Sequence, residues 1–223
     1  MNNKNIIDDF IAPDCHEEID ILYQDDAILV INKPSGLLSL SGKNPLNIDS
    51  VHHRLVKDFP SALMVHRLDF GTSGIMLVAL SKAVVKELNR QFSARSVFKE
   101  YQAILDGVLT ESIGVIDFPI AKGVFPYQKI CQETGKTAHT EYRVVQTFKD
   151  RTHVIFTPVT GRTHQLRVHS KAIGHPIIGC DLYCTQSSLS KSSRLMLHAS
   201  RLKFEHPTTG VRMDISHLGP FKK

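Results

Sequence analysis

Val65-His66-Arg67-Leu68-Asp69-Phe70-Gly71-Thr72-Ser73-Gly74 runs directly into Ile75-Met76-Leu77-Val78-Ala79-Leu80. The second part is an unbroken apolar run bounded by Gly74 and Ser81, the pattern of a strand covered on both faces. The first part is a polar loop in which Gly71 and Gly74 supply backbone freedom. A loop feeding a buried strand can hold a side chain firmly and still leave it open to a ligand. Asp69 is therefore the candidate reacting group, with Arg67 beside it. On this segment alone, the ordinary reading of Arg-x-Asp is a surface ion pair worth little.

Working outward, Ile19–Tyr23 and Ala27–Ile31 read as a hairpin joined by Gln24-Asp25-Asp26, ending at the turn Asn32-Lys33-Pro34-Ser35-Gly36. Asn47 or Asp49 is placed to cap a short helix through Val51, Leu55 and Phe59, stopped by Pro60. Ser81 caps an amphipathic helix with Val84, Val85, Leu88 and Phe92 on one side. Lys99–Val108 alternates with Tyr101, Ala103 and Leu105 on one face. Gly114–Ile120, Thr137–Phe148 and Thr152–Val159 add strands, with a loop rich in Gly, Pro and Lys between 122 and 136. Thr163 is placed to cap a helix running to Ile173 and stopping at Gly174, on which His164, Arg167 and Lys171 share a face. Leu195–Phe204 and Val211–Ile215 close the chain's strands. Strands outnumber helices and mostly follow one another without crossover helices, which predicts an α+β fold with a largely antiparallel sheet.

The chain has 223 residues, enough to bury a real core in one large domain or two small lobes. A formal charge of +5 favours a polyanionic partner only mildly. Cys15, Cys131, Cys180 and Cys184 are scattered without a Cys-x-x-Cys, as in a reduced cytoplasmic protein. Residues 1–18 read as a polar arm with no secretory h-region, and no apolar run approaches the roughly 20 residues of a membrane helix.

Several motif look-alikes fail on spacing. Gly135-Lys136-Thr137 lacks the leading glycine of a phosphate loop, Ile130 standing in its place. Gly71-Thr72-Ser73-Gly74 is not a nucleophile elbow. The twelve histidines form no His-Glu-x-x-His, and Cys180-x-x-x-Cys184 has no matching pair, so no metal site is expected. What remains is Asp69 on its loop, Tyr101 on a strand and Arg167 on a helix.

These residues sit in segments that closely resemble the RluA-type pseudouridine synthases. The segments are Asn32-Lys33-Pro34-Ser35-Gly36, His66-Arg67-Leu68-Asp69 with Thr72-Ser73-Gly74, Lys99-Glu100-Tyr101, Gly161-Arg162-Thr163-His164-Gln165-Leu166-Arg167, Gly174-His175-Pro176-Ile177-Ile178-Gly179 and Leu195-Met196-Leu197-His198-Ala199. They stand in the family's order from about residue 20 to 215, nearly the whole chain.

The resemblance implies the pseudouridine synthase fold: a curved, mainly antiparallel sheet in two lobes flanked by helices, with a central cleft. It implies a catalytic domain over 19–223; many relatives begin with an S4-type RNA-binding domain, but here the first strand starts near residue 19 and none is expected. Asp69 matches the catalytic aspartate, Tyr101 the tyrosine that stacks on the target base, and Arg167 the arginine paired with the carboxylate. Arg67 matches the residue that enters the RNA stack when the base leaves it. Lys33, Arg162 and His164 are assigned to RNA binding, and Leu197 to the base pocket. The implied isomerisation changes no oxidation state and consumes no water, so no cofactor and no metal is expected.

The whole-chain similarity, including Cys131-Gln132-Glu133-Thr134-Gly135-Lys136, points to the compact dual-specificity branch. That implies 23S rRNA and a tRNA anticodon stem-loop as partners of a cytoplasmic, monomeric enzyme. Two rival readings stand beside it. One is a synthase for a single tRNA site outside the anticodon arm, the other a non-catalytic RNA-binding or ribosome-assembly protein. Intact Asp69, Tyr101 and Arg167 argue against the last, since binding alone does not require that trio.

Overall fold

A computed structural model describes residues 10–221. Residues 1–9 of the expected N-terminal arm, and the final two lysines, lie outside the described residues. The fold is α+β, with a large, mainly antiparallel sheet flanked by helices, and the chain divides into two compact units, Met1–Asn89 and Arg90–Lys223.

In the first unit, β1 (Asp20–Gln24) and β2 (Ile28–Lys33) form the expected hairpin. Its turn is fixed by Asp25, whose Oδ1 accepts from the backbone N–H groups of Ala27 (2.8 Å) and Ile28 (2.9 Å). Helix α1 (Val51–Leu55) is capped by neither Asn47 nor Asp49 but by Ser50, whose Oγ accepts from His53 N–H at 3.1 Å. Asp49 is engaged instead by the Arg54 guanidinium at 2.6 Å, which holds its carboxyl below the usual range. The short β3 (Leu63–Met64) and then β4 (Ser73–Ala79) follow.

All seven residues of β4 are buried, as the unbroken apolar run requires, and it pairs with β2 from Lys33↔Gly74 to Ile28↔Ala79. Ile28, Leu29, Val30 and Ile31 are fully buried opposite it. Each such side chain contributes about 1.5–3 kcal/mol by leaving water, so this strand pair anchors the unit and fixes where the Asp69 loop ends. Helix α2 (Lys82–Ser93), capped by Ser81 as expected, carries the chain past the boundary.

The second unit comprises β5 (Phe98–Asp106), β6 (Ile113–Ile116), β7 (Ile120–Lys122), β8 (Gln128–Ile130), β9 (Thr140–Thr147), β10 (Arg151–Pro158), α3 (Gln165–Ala172), α4 (Gln186–Ser190), β11 (Leu197–Glu205) and β12 (Arg212–Ser216). Its strands run in the order β11-β5-β10-β9-β6, with β12 paired to β11. One face of this sheet presents Ala103, Leu105, Val154, Phe156 and Leu197, and α3 packs Leu166 and Val168 into the same core.

The expected featureless loop at 122–136 contains β8, which pairs with β7 in a separate two-stranded hairpin. Helix α3 starts later than expected. Its N-cap is His164, in the left-handed region at φ 56°, and it receives no side-chain cap. The first turn is instead organised by Gln165, whose Oε1 accepts from Arg162 N–H (2.9 Å) and the Thr160 hydroxyl (2.8 Å).

Candidate active site

The Asp69 loop is fastened through its backbone at several points. Immediately before Asp69, Ser39 Oγ both donates to the Leu68 carbonyl (2.7 Å) and accepts from Leu68 N–H (3.1 Å). Beyond it, Ser35 Oγ donates to the Gly71 carbonyl at 2.7 Å, and Gly36 N–H donates to the Phe70 carbonyl at 3.0 Å. Gly36 is at φ +77°, a conformation that side chains other than glycine's rarely adopt. Thr72 N–H closes the turn onto the Asp69 carbonyl at 3.1 Å, and the loop then enters β4. Upstream, His66 Nε2 accepts from Leu77 N–H of β4 at 2.9 Å, which puts its ring proton on Nδ1. Asp69 itself is half-buried, while Arg67 is exposed.

Lys33 corrects an expectation. It was assigned to RNA contact, yet it is fully buried. Its ammonium donates to the carbonyls of Pro34 (2.9 Å), Leu37 (2.6 Å) and Phe70 (3.1 Å). Three protons meet three carbonyl oxygens, which is how a buried ammonium is tolerated. A phosphate cannot reach it. Lys33 instead ties the turn after β2 to the residue following Asp69.

In the second unit Tyr101 lies on β5, partly buried and packed against the core face formed by Ala103 and Leu105. It is opposite Phe156 on one side and Ala199 on the other. Leu197 is in that core at 3% exposure, opposite Ala103.

Arg167 sits in the first turn of α3 and is 4% exposed. Its guanidinium is bound by the Asp181 carboxylate, donates from Nε to Cys180 Sγ (3.3 Å), and has its carbon 5.2 Å from the centre of the Tyr183 ring. Helix α3 is itself pinned. Gln165 Nε2 donates to Thr140 Oγ1 (2.9 Å), and His169 bridges the Thr140 hydroxyl (3.0 Å) and the Phe118 carbonyl (2.9 Å). Burial pushes the His169 imidazole down, so it serves as a neutral strut at pH 7.

His164 and Arg167 are brought together through Tyr183. The Tyr183 hydroxyl lies 2.7 Å from His164 Nδ1, and Arg167 stacks on the ring of the same residue. Arg162 is partly exposed and donates from Nε to the Thr137 carbonyl at 2.9 Å, leaving its terminal nitrogens toward the surface. Ser39, Asp181 and Tyr183 went unread in the sequence. Tyr183 lies just beyond the recognised segment ending at Gly179, and no spacing rule marks it.

Among the described residues, no group of three or more His, Cys, Asp or Glu is placed to hold a metal ion. Among the same residues, no helix is long and apolar enough to cross a membrane.

Comparison with known proteins bears on what these groups do. The family model described as RNA pseudouridylate synthase matches residues 27–172. The chain is 50% identical over 196 residues to the dual-specificity RNA pseudouridine synthase RluA of Yersinia pestis, covering 86% of this chain and 95% of that protein. It is 48% identical over 204 residues to the protein of the same name from Escherichia coli K12, covering 90% and 93%. Among solved structures, human RNA pseudouridylate synthase domain containing 1 superposes with a TM-score of 0.80 at 32% identity, covering 94% of this chain and 87% of that one. A carboxylate loop fastened by backbone and a buried, side-chain-held arginine thus occur in a chain matched along nearly its whole length, and the chain belongs to the RluA-type family of RNA pseudouridine synthases, enzymes that isomerise uridine in RNA.

Proposed function

We propose that the chain converts specific uridines to pseudouridine in both 23S rRNA and a tRNA anticodon stem-loop, acting as a cytoplasmic monomer. The observation that carries this reading is the 48–50% identity, along 93–95% of their length, to relatives named dual-specificity synthases.

The reaction breaks the N1–C1′ bond, turns the base and joins C1′ to C5. The proton at C5 is lost and N1 gains one, so atoms balance without a cofactor. Asp69 supplies the carboxylate, as nucleophile or base, from a loop that its backbone bonds keep in place. A desolvated carboxylate is disfavoured as an anion, and the family resemblance assigns to Arg167 the counter-charge that favours it. Tyr101 offers a flat face to the uracil, with Leu197 behind it; one such stack is worth about 1–3 kcal/mol.

Arg67, exposed two residues before Asp69, takes the place of the extruded base. Phosphates are held by Arg162 and by Lys122 and Lys129 on the β7–β8 hairpin. The apolar tip of that hairpin is open to bases: Val124 is 86% and Phe125 74% exposed.

The test is to incubate the protein with total RNA lacking pseudouridine and map new sites by carbodiimide adducts. New sites in both rRNA and the anticodon arm are expected. A single tRNA site outside that arm would replace the substrate assignment, and no site at all would leave an RNA-binding module.

A further inference from the structure

The second unit contains a side chain to which the expected chemistry gives no task, yet it touches both α3, which carries Arg167, and the β7–β8 hairpin. Tyr183 is 4% exposed and belongs to the core. Its ring carries the Arg167 guanidinium at 5.2 Å. Its hydroxyl accepts from the backbone N–H of Gln128, the first residue of β8, at 2.8 Å, and meets His164 Nδ1 at 2.7 Å. A phenol oxygen can accept and donate at once, so the hydroxyl holds Gln128 N–H while it donates to or accepts from His164 Nδ1 according to the imidazole tautomer. The ring is also packed edge-on by Tyr127 at 6.1 Å, in the connection between the two strands of the hairpin.

We propose that Tyr183 is a positioning residue with two separable functions: its ring seats Arg167, and its hydroxyl fastens the β7–β8 hairpin to the same point. RNA gripped by the hairpin then bears on the arginine through one rigid side chain. The ring contact is a cation over a π face in a desolvated setting, where such contacts are strongest. The hydroxyl contact is a hydrogen bond to a backbone group, so it acts on the hairpin whatever side chain Gln128 carries. This inference rests on the roles given above to Arg167 and to the hairpin.

The two functions come apart in two substitutions of the full chain, assayed by single turnover on an anticodon stem-loop. Tyr183→Phe keeps the ring and deletes the hydroxyl. The RNA concentration for half-maximal rate should rise about fivefold, with the saturated rate falling less than about twofold. Hydrogen exchange at Lys122–Gln128 in the free protein should quicken. Tyr183→Leu removes the ring as well, and the saturated rate should fall at least about tenfold further.

Equal saturated rates in the two variants would overturn the seating of Arg167. Unchanged half-saturation and unchanged hairpin exchange in Tyr183→Phe would overturn the fastening. If Tyr183→Leu does not fold, the exchange and half-saturation of Tyr183→Phe still decide the second function. For the first, Tyr183→His, which retains an aromatic face, should keep the saturated rate within about threefold, and a larger loss overturns it. Arg167→Gln separates the layers of the claim. If it is fully active, the role of Arg167 falls and this inference with it. If it is inactive while the Tyr183 variants match wild type, only this inference falls.

Discussion

The two charges proposed to carry the reaction, Asp69 and Arg167, are held by different means. Asp69 is placed by main-chain bonds around it: carbonyls of Leu68, Phe70 and Gly71 are bound by Ser39, Lys33, Gly36 and Ser35. Arg167 is placed by contacts to its own side chain, from Asp181, Cys180 and Tyr183. A group fixed through its backbone keeps its position when its side chain is altered. A group fixed through its side chain loses position and chemistry together. The first can therefore be dissected by substitution at Asp69 itself, whereas the second has to be dissected at its neighbours.

The strongest test of that contrast is Asp69→Asn. The bonds to the Leu68, Phe70 and Gly71 carbonyls do not pass through the changed atoms, so shape and RNA affinity should hold while the anion disappears. Turnover should fall by a factor on the order of 10⁴ or more, with affinity by filter binding within about threefold of wild type. Comparable loss of affinity would mean that the carboxylate also holds the loop, and the contrast would fail.

Lys33→Met comes next. It strips the buried Pro34 and Leu37 carbonyls of the ammonium donor, while the Phe70 carbonyl keeps the Gly36 N–H, and should lower stability by about 3 kcal/mol in urea unfolding. Turnover should fall with it, because Phe70, beside Asp69, then keeps one of its two carbonyl bonds. A variant as stable and as active as wild type would show that the serine and Gly36 bonds suffice.

A smaller effect is expected at Arg67, which is exposed and belongs to neither set of anchors. Extrusion costs a few kcal/mol in stacked RNA and less where the base is loose. Arg67→Ala should therefore slow a well-stacked stem-loop about tenfold more than a flexible strand with the same uridine. Equal slowing of both RNAs would make Arg67 a local partner of the loop instead of a wedge.

How far the sequence reveals this arrangement follows from the range over which each contact acts. Strand β4 was legible because burial on both faces forces an unbroken apolar run, which local pattern displays. The motif series carried the family and the placing of Asp69, Tyr101 and Arg167 on loop, strand and helix. Lys33 was misread because a lysine beside Pro and Gly looks like a solvated turn. Its burial depends on the Phe70 carbonyl, 37 residues away. Tyr183 was invisible for the same reason, its hydroxyl partners lying 55 and 19 residues distant. Strand β8 was missed because three residues are too few for alternation to register, and only pairing with β7 defines them.

The contrast between the units extends to acid. The second unit buries His153, His169 and His198, and burial pushes all three imidazoles down. His198, on β11 beside Leu197, is the extreme case at 1% exposure. Its Nε2–H donates to the His217 carbonyl at 3.2 Å, and burial first, then the nearby His217, brings it to about 4 from 6.5. The sign follows from proton binding. Between pH 6.5 and 4 the unfolded chain takes up a proton at this site and the folded chain does not. Stability is therefore full above pH 6.5 and falls as pH drops toward 4, by about 3 kcal/mol from His198 alone. At pH 7 no effect is expected, which makes this the smallest perturbation of the working enzyme. Urea unfolding of wild type and His198→Gln at pH 7.5, 6 and 5 measures it, and the variant should show a shallower decline. Hydrogen exchange at pH 5 should show β10 and β11 losing protection relative to pH 7. Parallel declines in the two proteins would assign the acid sensitivity to other groups and leave His198 as a packing residue only.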